Sequence, residues 1–124
     1  MITIFHNPNC GTSRSVLATL RAAGETPTVV DYVKAGWTPS QLESLFRAAG
    51  LTPRQALRAK GDLVEDLGLL NDGVGDAKIL DAMVAHPILV ERPFVVAPKG
   101  TALCRPADKV LALLDRPPPA VVKA

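Results

Sequence analysis

Within its first 32 residues the chain passes from a strand-like run to a helical period and back to a strand-like run. Residues 2–5 are β-branched and aromatic, as a buried strand requires. Residues 6–12 carry Asn, Pro, Asn, Gly and Thr, the composition of a loop. Val16, Leu17, Leu20 and Ala23 then recur at helical spacing and Gly24 follows as a stop, predicting a helix over 13–23. Residues 28–32 read as a second strand. Strand, helix and strand packed this tightly make a βαβ unit, and the two strands must run parallel.

The middle of the chain reads as helical. Thr38 is a natural cap with Pro39 at the first helical position, Leu42, Leu45 and Phe46 form an apolar face, and Gly50 ends the helix. Thr52-Pro53 repeats the start signal for a short helix to about residue 58. Residues 63–69 supply a further turn or two, and 76–85 place Ile79, Leu80 and Met83 on one face, with His86 capping or satisfying that helix's end. Residues 94–97 predict a third strand, Pro98-Lys99-Gly100 a turn and 101–104 a fourth strand. Arg105-Pro106 starts a last helix with Val110, Leu111 and Leu114 facing inward, and Pro117-Pro118-Pro119 cannot continue it. The order βαβ, helical block, ββα is that of an α/β, thioredoxin-like fold with a mixed sheet and an inserted helical region. One domain is expected over 1–115, with the insertion at about 38–86 and a Pro-rich tail over 116–124 that is either ordered by its context or disordered.

Composition narrows the function. Of 124 residues 48% are apolar but only 4% aromatic, so the core must come from Leu, Val, Ile and Ala. A net charge of +2 with both signs scattered lacks the clustered basic footprint of a nucleic-acid binder. No stretch approaches the roughly 18 apolar residues of a membrane span, and residues 1–8 carry neither a basic region nor a long apolar run, so no signal peptide is read there. A soluble, cytoplasmic monomer is expected. Two cysteines, Cys10 and Cys104, are too few for a disulfide framework and read as free thiols.

Cys10 lies in the loop between the first strand and the first helix. Free backbone N–H groups and the positive end of the helix dipole converge there, favouring a thiolate and offering donors to an oxyanion. The donors nearest in sequence are those of Gly11 and Thr12. His6 and Arg14, four residues to either side, would add positive charge on approaching the sulfur. Cys10-Gly11-Thr12-Ser13 has the spacing of a redox Cys-x-x-Cys motif with serine in the second place. A second thiol must then come from Cys104 or from an external thiol such as glutathione, while Ser13 suits the helix N-cap by its type. A phosphatase-like loop is rejected because only three residues separate Cys10 from Arg14, where five are needed. His6, Cys10, His86 and Cys104 show no compact metal-ligand spacing, so no metal site is expected.

His6-Asn7-Pro8-Asn9-Cys10-Gly11-Thr12-Ser13-Arg14 resembles the glutaredoxin-coupled arsenate reductases. Leu57-Arg58, Glu65-Asp66-Leu67-Gly68-Leu69, the run from His86 through Pro93, and Leu103-Cys104-Arg105-Pro106 follow in that family's order and spacing. The likeness covers about residues 2–115. It implies a thioredoxin-like fold and reduction of arsenate to arsenite, with glutathione as co-substrate, glutaredoxin as partner and no tightly bound cofactor. It makes Cys10 the nucleophile, His6 the neighbour that lowers its pKa and Ser13 a residue near the thiolate. Arg58, Arg92 and Arg105 become the arginines holding the anion, and Pro93 the cis-proline beside the active cysteine. Arg54 stands one helical turn before Arg58, and the pattern leaves open which of the two points inward. Two rivals share this fold: a glutathione-dependent thiol-disulfide reductase inactive on arsenate, and an Spx-like polymerase-binding redox regulator. The presence of all three arginines favours arsenate, and Ser13 in place of a second cysteine argues against a disulfide switch.

Overall fold

The computed structural model describes residues 1–124. Its sheet is built outward from β1 (Thr3–His6). β2 (Thr28–Asp31) lies parallel to β1 with Ile4 opposite Val29, and β3 (Phe94–Ala97) lies antiparallel on its other side with Ile4 opposite Val95. β4 (Gly100–Leu103) pairs antiparallel with β3, giving the order β2-β1-β3-β4. The parallel β1–β2 pair is joined by α1 (Gly11–Ala22), as a βαβ crossover demands. This mixed sheet in that strand order is a thioredoxin-like fold.

The chain divides into two compact units, Met1–Ala35 with Arg92–Ala124, and Gly36–Glu91. The first contains the sheet. Its core joins Ile2 and Ile4, the Val16, Leu17 and Leu20 face of α1, Val95, Cys104, Val110 and Leu114. Burial of each large aliphatic side chain contributes roughly 1.5–3 kcal/mol, and with so few aromatics these residues carry the sheet's packing.

Several expected boundaries move. α1 starts at Gly11 because Cys10, extended at φ −103° and ψ 121°, takes the N-cap position expected of Ser13. β2 ends at Asp31, and Tyr32 opens a single helical turn, α2 (Tyr32–Ala35). The last helix is a 3₁₀ segment, Ala107–Leu113, confined between Pro106 and the proline run and longer than the three or four residues usual for the tighter helix. Val110 and Leu114 are buried as expected, while Leu111 is half-buried against the same core. The tail is ordered by its context: Val121 packs on the core and Val122 hydrogen-bonds to α1.

The second unit is helical. α3 (Pro39–Ala49) and α4 (Pro53–Ala56) each begin with a capping box. Gln41 N–H donates to Thr38 Oγ1 at 3.1 Å and Thr38 N–H to Gln41 Oε1 at 3.0 Å. Thr52 and Gln55 repeat the exchange at 3.2 and 2.9 Å. Gly50 ends α3 with φ 71°, a conformation that a side chain would strain. α5 (Asp62–Asp66) is shorter than the expected 63–69, and α6 (Asp76–Ala85) has the expected bounds. α6 packs against α3 and α4, burying Ile79, Leu80 and Met83. His86 closes α6 through its backbone N–H on Ala82 O at 2.7 Å, ahead of a 3₁₀ turn at Pro87–Leu89. Within this unit Arg54 donates to the carbonyls of Val74 (2.7 Å), Asn71 (3.1 Å) and Leu69 (3.5 Å). α4 stops before residue 58 because extended pairing takes over: Leu57 bridges Val90, Arg58 N–H donates to Leu89 O and Glu91 N–H to Ala56 O.

Candidate active site

The site is built from the loop at the C-terminal end of β1 and the start of α1. The first intrahelical bond runs from Arg14 N–H to Cys10 O at 3.0 Å. The N–H groups of Gly11, Thr12 and Ser13 therefore have no helical acceptor, as at any helix start, and that of Ser13 is directed at the Cys10 sulfur. No acidic residue occupies the first turn to compete with an anion.

Burial pushes the Cys10 thiol up, but the Ser13 backbone N–H, then Arg92 and Arg105, outweigh it and hold it below the ordinary thiol value. Hydrogen bonds to a charged form and adjacent cations both favour that form. Arg105 Nη1 stands 3.7 Å from the sulfur and also donates to Arg92 O at 3.1 Å. Arg92 is buried. Both arginines precede cis-prolines, Pro93 and Pro106, of which only the first was expected. Cys104 is buried, and its desolvation pushes its thiol up to about 12, so it is inert at neutral pH.

His6 sits on the last position of β1, buried, with Nδ1 2.6 Å from Ser13 Oγ. Asn7 N–H donates to the same hydroxyl at 3.1 Å. Burial lowers the pKa of His6, Arg21 and Arg14 lower it further, and Asp31 beside it on β2 opposes them. The imidazole is therefore neutral at pH 7, and it is directed at Ser13. Ser13 is fully buried at the third position of α1, its backbone on the sulfur and its hydroxyl on the β1 end. Arg14 donates to Pro8 O at 3.0 Å and braces the loop from outside.

The first unit thus brings together His6, Cys10, Gly11, Thr12, Ser13, Arg14, Arg92, Pro93 and Arg105. Arg58 belongs to the second unit, where Nη1 pairs with Glu91 Oε1 at 2.8 Å. Sequence reasoning passed over Asn7. Its N–H serves Ser13, its carbonyl accepts from Cys10 N–H at 3.0 Å, and its Oδ1 accepts from Asn9 N–H at 3.0 Å. Asn before Pro in a turn is the available signal for such a residue. No three His, Cys, Asp or Glu side chains gather as a metal site.

This geometry has close parallels. Residues 5–113 match the sequence model of the ArsC family. An arsenate reductase from Synechocystis, ArsI2, is 58% identical over 95% of this chain and 84% of its own length. The arsenate reductase of Escherichia coli K12 is 44% identical over 91% of this chain and 80% of its own. Among solved structures, an arsenate reductase from Vibrio cholerae superposes with a TM-score of 0.86 at 35% identity, covering 91% of this chain and 97% of its own. The cysteine loop, the helical insertion and the arginine-bearing hairpin all fall inside the matched span, and the chain belongs to the ArsC family.

Proposed function

We propose that this protein reduces arsenate to arsenite in the cytoplasm through the Cys10 thiolate, with glutathione as reductant and glutaredoxin as the partner that recycles it. The observation that carries the reading is the Cys10 sulfur at a helix start, 3.7 Å from the Arg105 guanidinium and facing Arg92, with its pKa lowered. A tetrahedral oxyanion needs the same surroundings as the thiolate: unsatisfied N–H groups and planar, permanently charged forks. The names of the relatives supply the oxyanion.

In the proposed sequence arsenate docks against the N–H groups of α1's first turn and the two arginines. The thiolate attacks arsenic, forming the S–As(V) bond, and a protonated oxygen leaves as water. A glutathione thiolate then attacks the Cys10 sulfur. The S–S bond forms, the S–As bonding pair stays on arsenic, and As(III) departs as arsenite. Glutaredoxin takes the glutathionyl group from Cys10 and restores the thiolate. Arg92 and Arg105 act as preorganised charges, already oriented before the anion's charge redistributes.

The test is NADPH oxidation in a mixture of purified protein, arsenate, glutathione, glutathione reductase and glutaredoxin. Arsenate-dependent turnover that Cys10→Ser abolishes is the expected result. Full activity in Cys10→Ser overturns the nucleophile, and turnover sustained by thioredoxin alone without glutathione overturns the proposed reductant.

A further inference from the structure

α1 begins without the usual stabilisers of a helix start. Its N-cap is Cys10, which makes no side-chain cap hydrogen bond, and its first turn holds no acidic residue. Such a start is prone to fray, yet it carries the Ser13 N–H that serves the sulfur. Two hydroxyls compensate. Ser13 is tied to His6 and Asn7. Ser15 is tied to a segment 107 residues away: its Oγ donates to Val122 O. Val122 N–H in turn donates to Thr19 Oγ1 at 2.8 Å, and Thr19 Oγ1 donates to Ser15 O at 2.8 Å.

These three hydrogen bonds close a ring over one turn of α1. Ser15 and Thr19, four apart and so on one helix face, bind both backbone polar groups of residue 122. Thr19 is fully buried, and Val121 packs on the core cluster that includes Val16 and Leu20. The prolines at 117–119 stiffen the approach of the chain to this point.

We propose that residues 121–122 form a clasp on the helix that carries Cys10, and that Ser15 and Thr19 are positioning residues that keep its first turn wound beneath the sulfur. The inference rests on Cys10 being a reactive thiolate and is independent of which oxyanion the site takes. Because the clasp reads backbone rather than side chain at position 122, the residue type there is free as long as it has an N–H.

The experiment is alkylation of the native full-length chain by iodoacetamide at neutral pH, with the modified cysteine located by mass spectrometry and the melting temperature measured beside it. Val122→Pro removes the N–H and is expected to slow Cys10 alkylation at least about threefold, since the thiolate is the reacting form. Val122→Ala keeps the N–H and is expected to match the parent. Ser15→Ala, which suits a helix interior, is expected to slow the reaction in the same direction and serves where Val122→Pro fails to fold. Alkylation of Val122→Pro or Ser15→Ala at the parent rate overturns the proposal, even if the melting temperature falls. Equal slowing in Val122→Ala also overturns it, because a side-chain anchor would then be responsible.

Discussion

At Cys10, opposing influences decide the protonation state. Burial favours the neutral thiol, while the Ser13 N–H, Arg92 and Arg105 favour the thiolate and prevail. Arg105→Ala removes one of these donors, so the midpoint of Cys10 alkylation against pH is expected to rise. An unchanged midpoint removes Arg105 from the sulfur's surroundings. His6 behaves in the opposite sense to a cationic activator. Its folded pKa lies below the ordinary 6.5, chiefly through burial. The unfolded chain therefore takes up a proton at that position more readily than the folded one. The resulting contribution to stability is present above about pH 6.5 and is lost as pH falls through the folded value. A proton NMR titration is expected to find the His6 midpoint below 6.5, and denaturant unfolding should show His6→Gln less sensitive to acidification in that window than the parent. Neither behaviour is legible from residue types. His6 four residues from Cys10 reads as a charge donor, and only the folded loop turns it to Ser13.

Elements specified by short-range codes were legible, and those specified by distant partners were not. Thr38 and Thr52, each followed by Pro and, two residues later, Gln, announce α3 and α4 because the capping box closes within four residues. Thr52→Ala removes the acceptor for Gln55 N–H, and chemical denaturation is expected to show a loss of about 1 kcal/mol. The start of α1 shows the converse. Ser13 has the stronger cap preference, but its hydroxyl is taken by His6 and Asn7, so the helix extends back to Gly11 and the thiol inherits the cap. The single turn at Tyr32 has a cap-type residue before it, Asp31, but that signal is masked inside a run that reads as strand. Arg54 and Arg58, a turn apart, were indistinguishable by period. They are separated by what they find: three carbonyls of the 69–74 stretch for Arg54, and a carboxylate for Arg58.

For the whole molecule, the strand–helix alternation was enough to give a mixed sheet with a parallel βαβ unit and a closing ββα, since connection rules leave few arrangements, while the placing of β1 between β2 and β3 is seen only in the fold. The Pro-rich tail could not be settled that way, because its order depends on hydroxyls of a helix a hundred residues earlier. The sheet-bearing unit depends on a small aliphatic core. Leu20 of α1 is fully buried in it, and Leu20→Ala is expected to cost about 2–5 kcal/mol. Against a total of about 5–15 kcal/mol for a domain, thermal melting should show this variant close to the limit of folding.

Hairpin register also governs the chemistry. Phe94 pairs with Leu103, and beyond that pair Cys104 N–H meets Pro93 O and the Arg105 guanidinium meets Arg92 O. The two charges beside the thiolate thus stand at the open end of a ladder whose count is set at its closed end, in the Pro98-Lys99 turn. A codon gained or lost in a surface turn is ordinarily among the mildest of genetic changes. Here a one-residue slip would exchange the faces of β4, turning Cys104 out of the core and Arg105 away from the sulfur. Chain length between Arg92 and Arg105 therefore bears on the site as directly as the arginines themselves.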